Sequence, residues 1–137
     1  MLKKTVTYTN FNDEVCTEDL YFNLTKAEIV ELQWSKKEGL DVMLANMVKA
    51  KDTPELLSTL KTFVLKAYGI KTEDGRRFDK NDQIREDFKN SAVYSEVFTD
   101  LIETDEKAFE FILGVIPKDI ADEVRANIAM NKPQTTD

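Results

Sequence analysis

Histidine is absent from this chain of 137 residues, cysteine occurs once, glycine four times and proline three times. Without histidine there is no Ser-His or Cys-His nucleophile pair, no His-ligated metal site and none of the commonest general base. Cys16 cannot close an internal disulfide, and in a strand-like run it reads as a small half-buried apolar residue, which fits a reducing compartment. The glycines never cluster into a phosphate-cradling loop, so neither a P-loop nor a dinucleotide fingerprint is present. No window approaches the ~20 apolar residues of a membrane span, and the lysines of "MLKKTVTYTN" are not followed by the apolar core of a signal peptide. The expectation is a cytoplasmic protein of one domain, able to bury about two-thirds of the surface its unfolded form exposes.

Acidic residues number 26 and basic residues 19, a formal charge of −7. That field repels phosphate backbones and steers towards neutral or basic partners. Nucleic-acid binding is excluded on this ground, since "GRRF" at Gly75 to Phe78 holds the one Arg pair, too small a patch to reverse the sign. Carboxylates remain as groups able to do chemistry. They fall mostly on the polar sides of helices, where a solvated charge accounts for them. A calcium loop in "TEDGRRFDKND" fails on spacing: with Gly75 as its glycine, Ile70 and Asn81 take the first and last ligand positions, where acids are required. A turn at Asp74 and Gly75 is the simpler reading. Neither a metal nor another cofactor is expected.

What is present is organised by period. "LKKTVTYT" (2–9) and "VCTEDLYF" (15–22) are rich in Val, Thr, Tyr and Phe, with turn formers between, and predict an antiparallel hairpin with its loop at Asn10 to Glu14. Leu20 and Phe22 share one face; Thr17 and Asp19 look to solvent, with Tyr21 as an exception. In "NLTKAEI" the strand period gives way at once to a helical one. Thr25 and Glu28 form a capping box, and Leu24 can pack on Ile29 across the helix start. The match of "NLT" to a glycosylation acceptor is then simply a helix start.

Helices account for the rest. The first carries Ile29, Leu32 and Trp34 and stops at Gly39. The second has the stripe Leu40, Met43, Leu44, Met47 and Val48. A third, capped at Thr53 with Pro54 at its first position, lines up Leu56, Leu60, Phe63, Val64 and Ala67 until Gly69. A short helix near Asp82 to Lys89 precedes one with Tyr94, Val97, Phe98, Leu101 and Ile102 on a face. Thr104 caps "DEKAFEFILGVI", and Pro117 opens the last helix, where Ile120, Val124 and Ile128 recur by four. The fold class is α+β, mainly α: an N-terminal β-hairpin (2–23) and a helical body (25–130) of about six helices in one domain, with 131–137 a disordered tail.

One helix departs from the amphipathic rule. Phe109, Ile112, Leu113 and Ile116 form a stripe, while Phe111 and Val115 lie four apart on the opposite side, where charges belong. A helix apolar on both sides is either buried throughout or held between its own core and a partner. Phe111 and Val115 are therefore the candidate protein-interaction residues, with burial as the competing reading.

The ordered set "KKTVTYTNF", "TEDLYFNLTKAEIVELQ", "DTPELLSTLKTFVLKAYG", "DGRRF" and "AVYSEVFTDLIETDEKAFEFILGVIP" resembles the tail assembly chaperones of long-tailed, non-contractile phages of Gram-positive hosts. It spans nearly all of the chain. The turn "NDE" stands where an Asp-Gly type is expected in that family, and "KNDQIREDFKNS" matches loosely. The resemblance implies a non-enzymatic protein of the host cytoplasm that binds the tape measure protein, keeps it soluble and helps recruit major tail tube subunits. It also implies a homo-oligomer absent from the mature virion, with no membrane partner and, in many such genes, a longer frameshifted product. The alternative is a structural virion protein such as a tail completion or connector subunit.

Overall fold

The computed structural model describes residues 1–35 and 54–131. The expected helix stop at Gly39, the stripe from Leu40 to Val48, the cap at Thr53 and the tail beyond Asn131 lie outside them, as do the side chains of Leu32, Trp34, Leu56 and Ile128. Within them the fold is α+β and mainly α, a hairpin followed by six helices.

Strands β1 (Leu2–Thr9) and β2 (Val15–Phe22) pair antiparallel from Leu2↔Phe22 to Thr9↔Val15. Alternation does what the period predicts: Leu20 and Phe22 are buried while Thr17 and Asp19 are exposed. Helix α1 (Lys26–Ser35) starts from the expected capping box. The Glu28 N–H donates to Thr25 Oγ1 (3.2 Å), and the Thr25 N–H donates to Glu28 Oε1 (2.9 Å). Leu24 and Ile29 are both buried.

Helix α2 (Pro54–Ala67) buries Leu60, Phe63, Val64 and Ala67. The helical reading fails after Ala67. Strand β3 (Tyr68–Lys71) begins at the next residue and adds to β2 through Tyr21↔Gly69 and Phe22↔Tyr68. A turn at Thr72–Arg77 then leads into β4 (Phe78–Asp79), paired with β3 through Ile70↔Asp79 and Lys71↔Phe78. The sheet has four antiparallel strands in the order β1-β2-β3-β4, not two. Gly75 in the turn takes φ 75°, and Gly69 is fixed by packing. A Cβ on Gly69 would stand 2.7 Å from Phe78 Cε2 and 3.0 Å from the Asp79 carbonyl oxygen.

Four more helices follow: α3 (Asp82–Lys89), α4 (Ala92–Leu101), α5 (Asp105–Val115) and α6 (Lys118–Asn131). Side-chain caps start three of them. Asn81 accepts from the Ile84 N–H at 2.7 Å, Ser91 from the Tyr94 N–H at 3.3 Å, and Thr104 from the Lys107 N–H at 3.1 Å. One face of the sheet packs on the helices, α3 lying against β3 and α4 and α5 against β1.

Helix α5 is the centre of the body, touching α2, α4, α6 and β1. That position explains its apolar composition on both sides. Phe111 is 3% exposed and Val115 0%. The Phe111 ring stands edge-on to Phe22 with centroids 5.2 Å apart, and Phe22 in turn meets Tyr68 and Phe88. Phe111 and Val115, the candidate contact residues, are thus buried, as their competing reading has it, because α5 packs on α2, α4, α6 and β1 and keeps a polar edge, Glu106, Lys107 and Glu110, in solvent. Tyr68 stacks on Phe88 at 3.9 Å, extending the aromatic cluster across the sheet, and Tyr94 and Phe98 continue it along α4.

Candidate interaction surface

With Phe111 and Val115 inside, the sheet and the joint at its edge are the next surfaces to consider. The joint is the more rigid of the two. The Asn23 N–H donates to the Ala67 carbonyl (2.8 Å) and the Leu24 N–H to the Val115 carbonyl (2.7 Å). The backbone between β2 and α1 thereby satisfies carbonyls at the ends of α2 and α5. Lys80, just past β4, reaches into the same place, its Nζ donating to the Asn23 carbonyl and to Glu28 Oε2, each at 2.7 Å. Glu28 therefore serves both the capping box and Lys80. Desolvation holds the Lys80 ammonium below its ordinary range, and the Glu28 carboxylate opposes that shift.

The second face of the sheet is turned to solvent. Lys3, Thr5, Thr7 and Thr9 alternate outward from β1, opposite Tyr21, Asp19, Thr17 and Val15 of β2. Cross-strand bonds tie this surface together: Thr5 Oγ1 donates to Asp19 Oδ1 at 2.7 Å, and the hydroxyls of Thr7 and Thr17 are 3.0 Å apart. The Thr5 hydroxyl and then the Lys3 ammonium hold the Asp19 carboxyl below the usual carboxylate range. Lys71 lies over the Tyr21 ring, 5.7 Å from its centroid. These pairs give the face order and polarity, with no group placed for acid-base or nucleophilic work.

Among the described residues, no three His, Cys, Asp or Glu side chains are grouped to hold a metal ion, and no helix is long and apolar enough to cross a membrane. The turn between β3 and β4 forms an open polar concavity lined by Thr72, Glu73, Asp74, Arg76 and Arg77. Its bonds are internal to the turn: Asp74 Oδ1 accepts from the Thr72 hydroxyl (2.7 Å) and the Arg76 N–H (3.1 Å), which is the turn closure expected of Asp74. Sequence reasoning found this turn but not the strands on either side. Their only mark in the sequence is the apolar flank of Asp74-Gly75, Tyr68 and Ile70 on one side and Phe78 on the other, too short to show a period.

The sequence-family model described as phage tail assembly chaperone matches residues 1–137. The chain belongs to that family. Comparison with curated proteins gives no match, and neither does comparison with solved structures. For a tail assembly chaperone the relevant chemistry is protein-protein contact in tail assembly, and the surfaces above have to be read for what they can hold. Among the residues whose side chains are described, the most exposed large apolar ones lie outside the helices. They are Phe11 and Val15, at the far end of the hairpin, 80% and 76% exposed. The sequence reading passed over them because a lone aromatic in a turn has no period to reveal it.

Proposed function

We propose that this chaperone binds the tape measure protein during tail morphogenesis, covers its apolar segments until tail tube subunits polymerise around them, and helps bring those subunits in. It acts in the host cytoplasm and leaves before the particle is complete. Copies of the chain line the client, so self-association belongs to this reading. The observation that carries it is the family match over the whole length. One sheet face left open to solvent supports it, since a chaperone of this kind works through surface.

The test is co-expression of the tape measure protein of the same phage with and without this chain, followed by mass spectrometry of purified particles. The expected outcome is a tape measure protein that is soluble only in the chain's presence, and virions that lack the chain. Virions that contain it in stoichiometric amount overturn the reading in favour of a structural subunit.

A further inference from the structure

The hairpin β1–β2 is fastened at one end. Near its base Leu20 and Phe22 are buried and Val6 is 9% exposed; from Thr7 to Asp19 every residue is half-buried or exposed. Beyond the Thr9↔Val15 pair the chain turns through Asn10–Glu14, carrying Phe11 at 80% exposure with Val15 beside the turn at 76%. A phenyl ring left in water contributes little to the stability of its own fold, which leaves its apolar surface free to be buried against a partner.

The turn beneath the ring is held by hydrogen bonds. Asn10 Oδ1 accepts from the N–H groups of Asn12 (2.8 Å) and Glu14 (3.0 Å). The Asn10 N–H donates to the Glu14 carbonyl (2.9 Å), and the Asp13 N–H donates to the Asn10 carbonyl (3.0 Å). Asn10 Nδ2 also donates to Cys16 Sγ at 3.2 Å. Asp13 sits in the left-handed region at φ 60°, which an Asp tolerates in a turn. The ring is thus carried on a bonded turn, so little ordering is left to be done when it docks.

Charge selects the partner. The hairpin's lysines, Lys3 and Lys4, are at its anchored end, whereas Asp13 and Glu14 lie in the turn and Glu18 is exposed on the way to it. Among the described residues, none of these three acids is within ion-pair distance of a Lys or Arg, while Asp19 has Lys3 at 3.6 Å. An acidic turn is repelled by the same turn of a second copy and attracted by a basic surface.

We propose that Phe11, at the hairpin turn four residues before the exposed Val15, is the anchor by which this chaperone grips its client, entering an apolar recess rimmed by Lys or Arg. This rests on the client-binding function proposed above and says which surface performs it. The experiment measures binding of the tape measure protein of the same phage, at low and high salt, to the wild-type chain, Phe11→Ser and the double variant Asp13→Asn/Glu14→Gln. Melting temperature and light scattering are recorded for each. Expected results are an unchanged melt for all three, at least tenfold weaker binding by Phe11→Ser, and a weaker salt dependence for the double variant. A wild-type chain that does not bind the client removes the proposed function itself. A wild-type chain that binds, with Phe11→Ser binding equally well, overturns only the anchor. A lower melting temperature for Phe11→Ser overturns it in favour of a structural role, and a wild-type oligomer that dissociates in Phe11→Ser overturns it in favour of a second copy as the occupant.

Discussion

At the scale of single residues, the joint between β2 and α1 shows how few atoms fix the hairpin to the body. Thr25→Ala removes one side of the capping box and is expected to cost about 1 kcal/mol, with client binding per folded molecule unchanged. Glu28→Gln has a larger effect, because Lys80 is left with a weaker partner in a site where its side chain is 13% exposed. A loss of about 2 kcal/mol, the scale of a hydrogen bond between charged groups, is expected in urea titration. Equal losses for the two variants would show that the cap, and not Lys80, is what Glu28 contributes. Phe111 is a different kind of residue. With its ring against Phe22 and no exposed edge, Phe111→Ala is expected to cost about 3–5 kcal/mol. Phe111→Glu should fail to fold, as circular dichroism with light scattering would detect; a folded and monomeric Phe111→Glu protein would return the residue to the surface.

At the scale of elements, β3 is the piece whose geometry constrains most. Gly69→Ala forces a methyl against the Phe78 ring and the Asp79 carbonyl and should destabilise by about 1–3 kcal/mol, read as a lower denaturant midpoint at unchanged slope. Ile70→Ala, at a residue 51% exposed, should do much less. The contrast between these neighbours also explains what sequence could and could not reveal. The hairpin, the Thr25 cap and the helices starting near Asp82, Thr104 and Pro117 were legible because local chemistry decides them: a period, a cap, a proline. Strands β3 and β4 have four residues and two, too few for a period, and they exist because β2 offers an edge brought from far along the chain. The double apolar stripe of α5 was visible, but only the neighbours of that helix decide between burial and contact. Phe11 is the converse case, a residue with no pattern whose exposure only the structure shows.

At the scale of the whole molecule, the aromatic cluster joining sheet and helices gives stability a pH dependence. Burial raises the Tyr68 and Tyr94 hydroxyls above their ordinary 10.0, with the Glu18 charge adding to the shift at Tyr68. A raised tyrosine binds its proton more tightly folded than unfolded, so its contribution is complete below 10.0 and is lost as pH rises through the folded value. Lys80 acts with the opposite sign, since its lowered pKa makes the folded state gain as the ammonium deprotonates below 10.5. Above 10.5 the tyrosines act in the same sense as Lys107, whose ammonium the Glu103 and Asp100 carboxylates hold above its ordinary range, and alkaline denaturation is expected there, moved to higher pH by Tyr68→Phe. A wild-type and variant that unfold at the same pH would show that Tyr68 takes no part. The sheet order carries a further consequence, in time. Every bond of the turn at Asn10–Glu14 lies within the hairpin, whereas β3 cannot join β2 until α1 and α2 have been made. A hairpin closes in about 1–10 μs, and pairing between distant strands is slower. On a ribosome the turn that bears Phe11 therefore takes shape while Leu20 and Phe22 still lack the α5 and β3 surfaces that later cover them. The order of synthesis thus puts Phe11, the most exposed aromatic among the described residues, out in solvent before the body that anchors its hairpin has been made.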